Sequence, residues 1–180
     1  MSTKQDVTGD SAAARPMISF VVAMDRNRLI GAGDGLPWRL PDEIRRFKEI
    51  TMGHAVLIGR KTYESIPDKF RPLKGRTNIV LTSQKDYEAP GCIVVHNMHD
   101  ALTAVGADQE MMVIGGAHVF EELMPLVDRL YLTEIDGEYR GDVYFPELDL
   151  SEWQEVANEG HPRDERHDFP FTFLILDRIR

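Results

Sequence analysis

"MMVIGGAHVFEELMP", residues 111–125, is a short apolar run, a glycine pair and a helical stretch in immediate succession. The run before the glycines is continuous rather than alternating, the pattern of a strand buried on both faces. A strand that passes straight into a helix is the repeating half of a parallel β-α-β unit. The same arrangement recurs along the chain. "MISFVVAM" (17–24), "AVLIG" (55–59), "TNIVLT" (77–82), "CIVVH" (92–96) and "LYLTEI" (130–135) are further short apolar runs, with helical stretches at 41–51, about 61–66 and 99–106. This alternation predicts an α/β layered domain on a mostly parallel sheet. "WQEVANE" (153–159) and "FPFTFLILDRIR" (169–180) add two strands joined by a short charged connection, so an antiparallel edge is expected.

With 180 residues and neither an internal repeat nor a linker after residue 16, one domain is expected over 17–180. Residues 1–16 are polar and small, without the apolar core of a secretory signal, and read as a flexible extension. No apolar run approaches the ~18 residues of a membrane helix. A single cysteine, Cys92, permits no intrachain disulfide and fits a reducing cytoplasm. The net charge of −9 argues against nucleic acid as a partner. Residues 60–76, however, carry +4 within a remainder of −13. That island is either a solvated face or the seat of an anionic small ligand.

In "GLPWRLPDEIRRF" (35–47), Pro41 suits the first helical position and Asp42 complements the positive helix end. At 100° per residue Ile44, Phe47, Ile50 and Thr51 form one face. Glu43 projects onto that face, whereas Asp42 is expected to point to water. A carboxylate on an apolar stripe is expensive to bury without a polar partner, so Glu43 is expected to meet a ligand. "GAGDG" (31–35) suits a mobile loop or lid rather than a dinucleotide fingerprint, because no helix begins at its end. In "VIGGAHVF" (113–120) the glycines serve either a phosphate approaching backbone N–H groups or plain chain reversal. "LIGRKTYESI" (57–66) places Arg60, Lys61 and Thr62 just after a strand, a good monophosphate site. Thr82 and Ser83 end the next strand, and such groups converge at the carboxyl ends of a parallel sheet. "HNMH" (96–99) lacks further ligands, so no metal is expected. No nucleophile context is present.

Six segments in order, "IGAGDGLPWRLPDEIRRFK", "VLIGRKTYESI", "GRTNIVLTS", "MMVIGGAHVFE", "LYLTEI" and "GDVYFP", make the chain from Met17 onward resemble the dihydrofolate reductase family. The resemblance implies a predominantly parallel eight-stranded sheet, flanked by helices in three layers, with an antiparallel C-terminal strand. It implies NADPH-dependent reduction of 7,8-dihydrofolate to tetrahydrofolate for one-carbon metabolism by a cytoplasmic monomer. Glu43, Trp38 and Thr133 match catalytic positions. Val21, Phe47, Ile66 and Ile114 match the substrate pocket, and Arg76 matches the clamp on the glutamyl carboxylate. Ala23, Ile30, Gly31, Gly59, Arg60, Lys61, Thr62, Leu81, Thr82, Ser83, Gly115, Gly116, Ala117, His118 and Val119 match cofactor positions, with Arg60, Thr82 and Ser83 at the 2′-phosphate. Gly33, Gly35, Leu36 and Asp142 match the lid. Phe120 stands where many members have tyrosine. Two rivals share these features: a riboflavin-pathway-like reductase, and a nucleotide-binding module without catalysis.

Overall fold

The computed structural model describes residues 15–31 and 36–180. The expected extension lies outside these residues apart from Arg15 and Pro16, and so do the lid residues Gly33 and Gly35. In chain order the elements are β1 (Met17–Met24), β2 (Leu29–Gly31), α1 (Pro41–Thr51), β3 (Ala55–Gly59), α2 (Arg60–Ser65), β4 (Thr77–Leu81) and β5 (Ile93–Val95). They continue with α3 (Met98–Ala104), β6 (Glu110–Gly115), α4 (Ala117–Leu123), β7 (Arg129–Ile135), β8 (Val143–Tyr144), β9 (Trp153–His161) and β10 (Phe171–Arg178). Eight strands form one sheet in the order β5-β4-β3-β6-β1-β7-β10-β9. Pairing is parallel from β5 to β7 and antiparallel from β7 through β10 to β9. The mostly parallel sheet with an antiparallel C-terminal edge is thus as expected. The β2–β8 pair, a separate two-stranded sheet, was not anticipated, because strands of three and two residues carry no readable period.

Successive side chains of a strand point to opposite faces, and here both faces are covered. Ile18, Phe20 and Val22 of β1, with Met111 and Val113 of β6, pack with Val119, Phe120 and Leu123 of α4 and Ala101 of α3. Their neighbours Val21 and Met112, with Val56, pack instead with Phe47 and Ile50 of α1. Such two-sided burial explains why the strands read as continuous apolar runs. Phe20 is fully buried, its ring 4.9 Å from Phe120 and 6.3 Å from Phe145. Phe120, the departure from tyrosine, is therefore a core residue, with Phe145 5.2 Å away.

Two anchors tie the ends and the loops to this sheet. Arg15 donates to Asp128 Oδ2 at 2.7 Å, and Arg180 bonds the same carboxylate. Asp25, only 2% exposed, accepts from the amides of Asn27 (2.8 Å), Leu29 (2.9 Å) and Tyr139 (2.9 Å). One carboxylate thereby joins the turn before β2 to the loop before β8. Asp142 N–H donates to the Gly31 carbonyl at 3.3 Å, closing the same pair of segments.

Truncating Phe20 removes a ring from a site where neighbours on three elements surround it. Phe20→Ala is expected to destabilise the protein by ~3–5 kcal/mol, read as a lowered urea midpoint at unchanged slope.

Candidate active site

A cavity of about 1050 Å³ runs along the carboxyl ends of β1, β3, β4 and β6. Each strand end delivers its residues directly. Gly59 ends β3 and caps α2, so Arg60, Lys61 and Thr62 stand at the rim. Leu81 ends β4, followed by Thr82 and Ser83. Gly115 ends β6 and Gly116 caps α4, bringing Ala117, His118 and Val119 to the same wall. Gly115 has φ +129°, a conformation open to glycine, and the Gly115–Gly116 peptide is cis. A Cβ at Gly116 would lie 2.7 Å from Thr62 Oγ1, so only a glycine leaves this cradle open.

The other end of the cavity is apolar. Val21 and Ala23 of β1 and Ile114 of β6 face Phe47 of α1, with Ile66 beyond. Ile30, Gly31 and Leu36 flank the approach, and Leu36 is 59% exposed. α1 contributes its apolar face as expected, and that face is divided: Ile44 and Phe47 line the cavity, while Phe47 and Ile50 pack against Val21, Val56 and Met112. Its buried residues are Glu43 and Thr51 alone, while Ile44 is 54% exposed and lines the cavity.

Glu43 is 9% exposed. Burial pushes its carboxyl up to about 7, opposed only by the positive charge of Arg46 on the same helix. The expectation that Asp42 points to water is overturned. Its side chain is 11% exposed and accepts bonds from His161 Nε2 (2.8 Å) and Arg166 (3.0 Å) of the β9–β10 hairpin. Burial there would raise its pKa, but His161, Arg166 and Arg45 hold it below the ordinary carboxylate range. These partners lie more than 100 residues away, beyond the reach of a helical wheel.

Among the described residues, four expected site residues lie outside the cavity lining. Trp38 is buried with its ring 5.4 Å from Tyr139, and its indole N–H has no hydrogen-bond acceptor among the described residues. Thr133 is buried on β7 between Ala23 and Phe173. Arg76 donates to Thr51 Oγ1, at the end of α1, at 3.0 Å and to the Lys74 carbonyl at 3.0 Å. Asp142 is held at the end of the β2–β8 pair. Conversely, Ile44, Leu73, His96 and Asn97 line the cavity without having been singled out as site residues. Ile44 was visible on the same helical face as Glu43. His96, weighed only as a metal ligand, bonds the Thr82 carbonyl through Nδ1 at 2.8 Å and so stands beside Thr82 and Ser83.

The anionic-ligand end is built around Arg60, whose guanidinium is held by Glu64 one turn on, at 3.0 and 3.2 Å. Thr82 is buried with its hydroxyl accepting from Gln84 N–H at 3.1 Å, and Lys61 and Ser83 are exposed. Arginine, lysine, hydroxyls and a glycine cradle fit a phosphate-bearing cofactor, and an apolar compartment ending in one acid fits a flat, partly polar ring. Fold and cleft define an α/β enzyme of the cofactor-dependent class. The family model for dihydrofolate reductase matches residues 17–178. The dihydrofolate reductase of Bacillus subtilis (strain 168) is 47% identical over 162 residues, 90% of this chain and 95% of the relative. The type 3 dihydrofolate reductase of Salmonella typhimurium is 39% identical over 164 residues, 91% and 99% of the two chains. Among solved structures, a dihydrofolate reductase from Enterococcus faecalis complexed with NADP(H) and RAB-propyl superposes with a TM-score of 0.84 at 37% identity, covering 91% of this chain and 97% of that one. The chain belongs to the dihydrofolate reductase family.

The raised pKa of Glu43 has a stability consequence of definite sign. Between the ordinary value and about 7 the folded state binds the extra proton, so its contribution is complete in acid and is lost as pH rises through 7. Above pH 7 the ionised, buried carboxylate destabilises the fold by on the order of 3 kcal/mol. Glu43→Gln is therefore expected to raise the urea midpoint at pH 8, and that gain is expected to vanish by about pH 4.5. Equal midpoints at pH 8 would contradict the burial.

Proposed function

We propose that the chain reduces 7,8-dihydrofolate to 5,6,7,8-tetrahydrofolate with NADPH, acting as a cytoplasmic monomer. The observation that carries this reading is the buried, proton-retaining Glu43 on the wall of an apolar compartment continuous with a basic, glycine-lined one. NADPH, when bound, supplies the hydride, which goes to pterin C6.

Each part of the chain then has a task. Arg60, Thr82 and Ser83 bind the 2′-phosphate, with Lys61 adding positive charge. Thr62 and the Gly115–Gly116 turn, continued by Ala117, His118 and Val119, accommodate the pyrophosphate. Ala23, Ile30, Gly31 and Leu81 bound the remaining length of the cofactor. Val21, Phe47, Ile66 and Ile114 hold the pterin and benzoyl rings and exclude water. Glu43 receives the 2-amino and N3 donors of the pterin and, by holding a proton near neutral pH, assists protonation at N5. Trp38 offers its indole N–H to ordered water on the way to that nitrogen, and Thr133 orients the carboxyl. Arg76 clamps the α-carboxylate of the glutamyl tail as a fork. Leu36 and Asp142 belong to the lid over the site.

Loss of NADPH absorbance, followed with and without dihydrofolate, tests this reading directly. Turnover only with dihydrofolate supports it. Turnover with a ribosylamino-pyrimidine instead points to the riboflavin-pathway chemistry, and binding without turnover to a module without catalysis.

Two substitutions probe the assignments. Glu43→Gln is expected to slow hydride transfer at neutral pH by ~10²–10⁴-fold, with recovery as acid solvent supplies the proton. Pre-steady-state rates across pH decide it; a rate unchanged at pH 7 removes Glu43 from proton delivery. Arg60→Ala is expected to weaken NADPH binding by roughly ten- to hundred-fold, from the ~1.5–3 kcal/mol of a charge-assisted bond. NADH affinity should stay nearly constant. Equal losses for both cofactors would leave Arg60 no part in reading the 2′-phosphate.

A further inference from the structure

The first turn of α1 has an unusual cap. Leu40 stands at the N-cap and offers no side-chain acceptor, and Pro41 has no N–H. The amides of Glu43 and Ile44 both donate to the Leu40 carbonyl, each at 3.1 Å. The amide of Asp42 is taken from the opposite end of the chain: it donates to His167 Nε2 at 3.3 Å. His167 is fully buried, and its Nδ1 faces Asp164 Oδ1 at 2.7 Å. A carboxylate accepts, so Nδ1 carries the hydrogen and Nε2 presents its lone pair to the helix.

Further bonds from the same hairpin fall on the same helix. His161, stacked on Phe171 at 4.3 Å, and Arg166 both bond the Asp42 carboxylate. One turn on, Arg46 lies over the Phe173 ring at 4.1 Å and 3.9 Å from Glu159. Arg46 is the one charge that acts on Glu43 against its burial. The hairpin therefore grips the helix on either side of Glu43 in sequence, through Asp42 and through Arg46.

The donor set Asp42, His161, Asp164 and His167 has its ligand atoms within 4.8 Å of one another, as a cation site would. Its pairing argues otherwise. Nδ1 of His161 bonds the Pro162 carbonyl at 2.7 Å, His167 is bonded at both nitrogens, and Arg45 and Arg166 already neutralise Asp42.

We propose that the tip of the β9–β10 hairpin is a positioning element for the reaction, with His167 capping the helix that carries Glu43 and Asp164 holding His167 in the tautomer that can cap. His167 touches neither substrate nor cofactor; it acts by keeping the first turn of α1 wound and Glu43 sealed from water. The proposal rests on the assigned role of Glu43, so its test reads Glu43 itself before it reads catalysis.

The experiment is a titration of Glu43 by carboxyl ¹³C NMR, using Glu43→Gln to assign the signal, in the wild-type protein and in His167→Ala, His167→Gln and Asp164→Ala. Opening the first turn hydrates Glu43, so in His167→Ala its midpoint is expected to fall from about 7 by roughly one pH unit or more. His167→Gln, whose amide oxygen can accept from the Asp42 N–H, should restore it. Asp164→Ala, which leaves the core intact, should give a smaller shift of the same sign and keeps the question answerable if His167→Ala does not fold. The midpoint of the hydride-transfer pH profile should move with the titration, and the KM for dihydrofolate should rise several-fold while that for NADPH stays constant. An unmoved titration in folded Asp164→Ala and His167→Ala, at lower Tm, reduces the hairpin to scaffolding and overturns the proposal. A shifted titration with an unmoved rate profile upholds the positioning and rejects proton delivery by Glu43. A rise in Tm on adding Zn²⁺ that is lost with EDTA and absent from His167→Ala would make the cluster a metal site, and overturn the proposal too.

Discussion

An acid that must stay out of water, yet within reach of it, organises this molecule. Glu43 is sealed on the wall of a large cavity, and removing a carboxylate from solvent costs more than any single contact in the cleft can return. The fold resolves the conflict by letting the carboxyl keep its proton up to about neutral pH. Everything around the helix serves that arrangement: an apolar face turned towards the cavity, a first turn secured from a distant hairpin, and one arginine moderating the effect. The same group is thus a burden on the fold above pH 7.

The cleft has two characters because the strands that line it share one polarity. Parallel strands bring all their carboxyl ends to one side, so four strand ends open onto one cavity. Where a strand passes directly into a helix through glycine, the absent side chain leaves the backbone uncovered, as at Gly116 beside the Thr62 hydroxyl. Where α1 lies across the sheet, side chains of Phe47 and Ile44 do the lining instead. A polar end and an apolar end of one cavity follow from the same topology.

Much of this was legible in the residues. Continuous apolar runs announced the buried parallel strands, and helix phase separated Glu43 from Asp42. What local sequence could not show was anything decided by contacts across the chain. Asp42 looked like a solvated end of a helix dipole, because His161 and Arg166, more than 100 positions on, are invisible to a 3.6-residue period. His96 was weighed as a metal ligand; its place beside Thr82 comes from β5 pairing with β4. Trp38, Thr133, Arg76 and Asp142 came from resemblance alone, and they stand behind or beside the lining rather than in it. The pairing of β2 with β8 escaped notice because strands so short are held by Asp25 and its three backbone donors rather than by any pattern of their own.

The outermost strand, β9, was introduced as half of the C-terminal hairpin, and it is also an edge of the eight-stranded sheet. Among the described residues no strand pairs with its outer side, which leaves a row of peptide groups open to a second sheet. Gln154, Glu155, Asn158 and Glu159 stand exposed along it, and Val156 and Ala157 are the exposed apolar exceptions. Glu155 and Glu159 put negative charge on this edge, and charged side chains are one of the devices that blunt an exposed strand. The hairpin whose His161 and Arg166 bond Asp42 of α1 thus also presents a polar, charged outer edge.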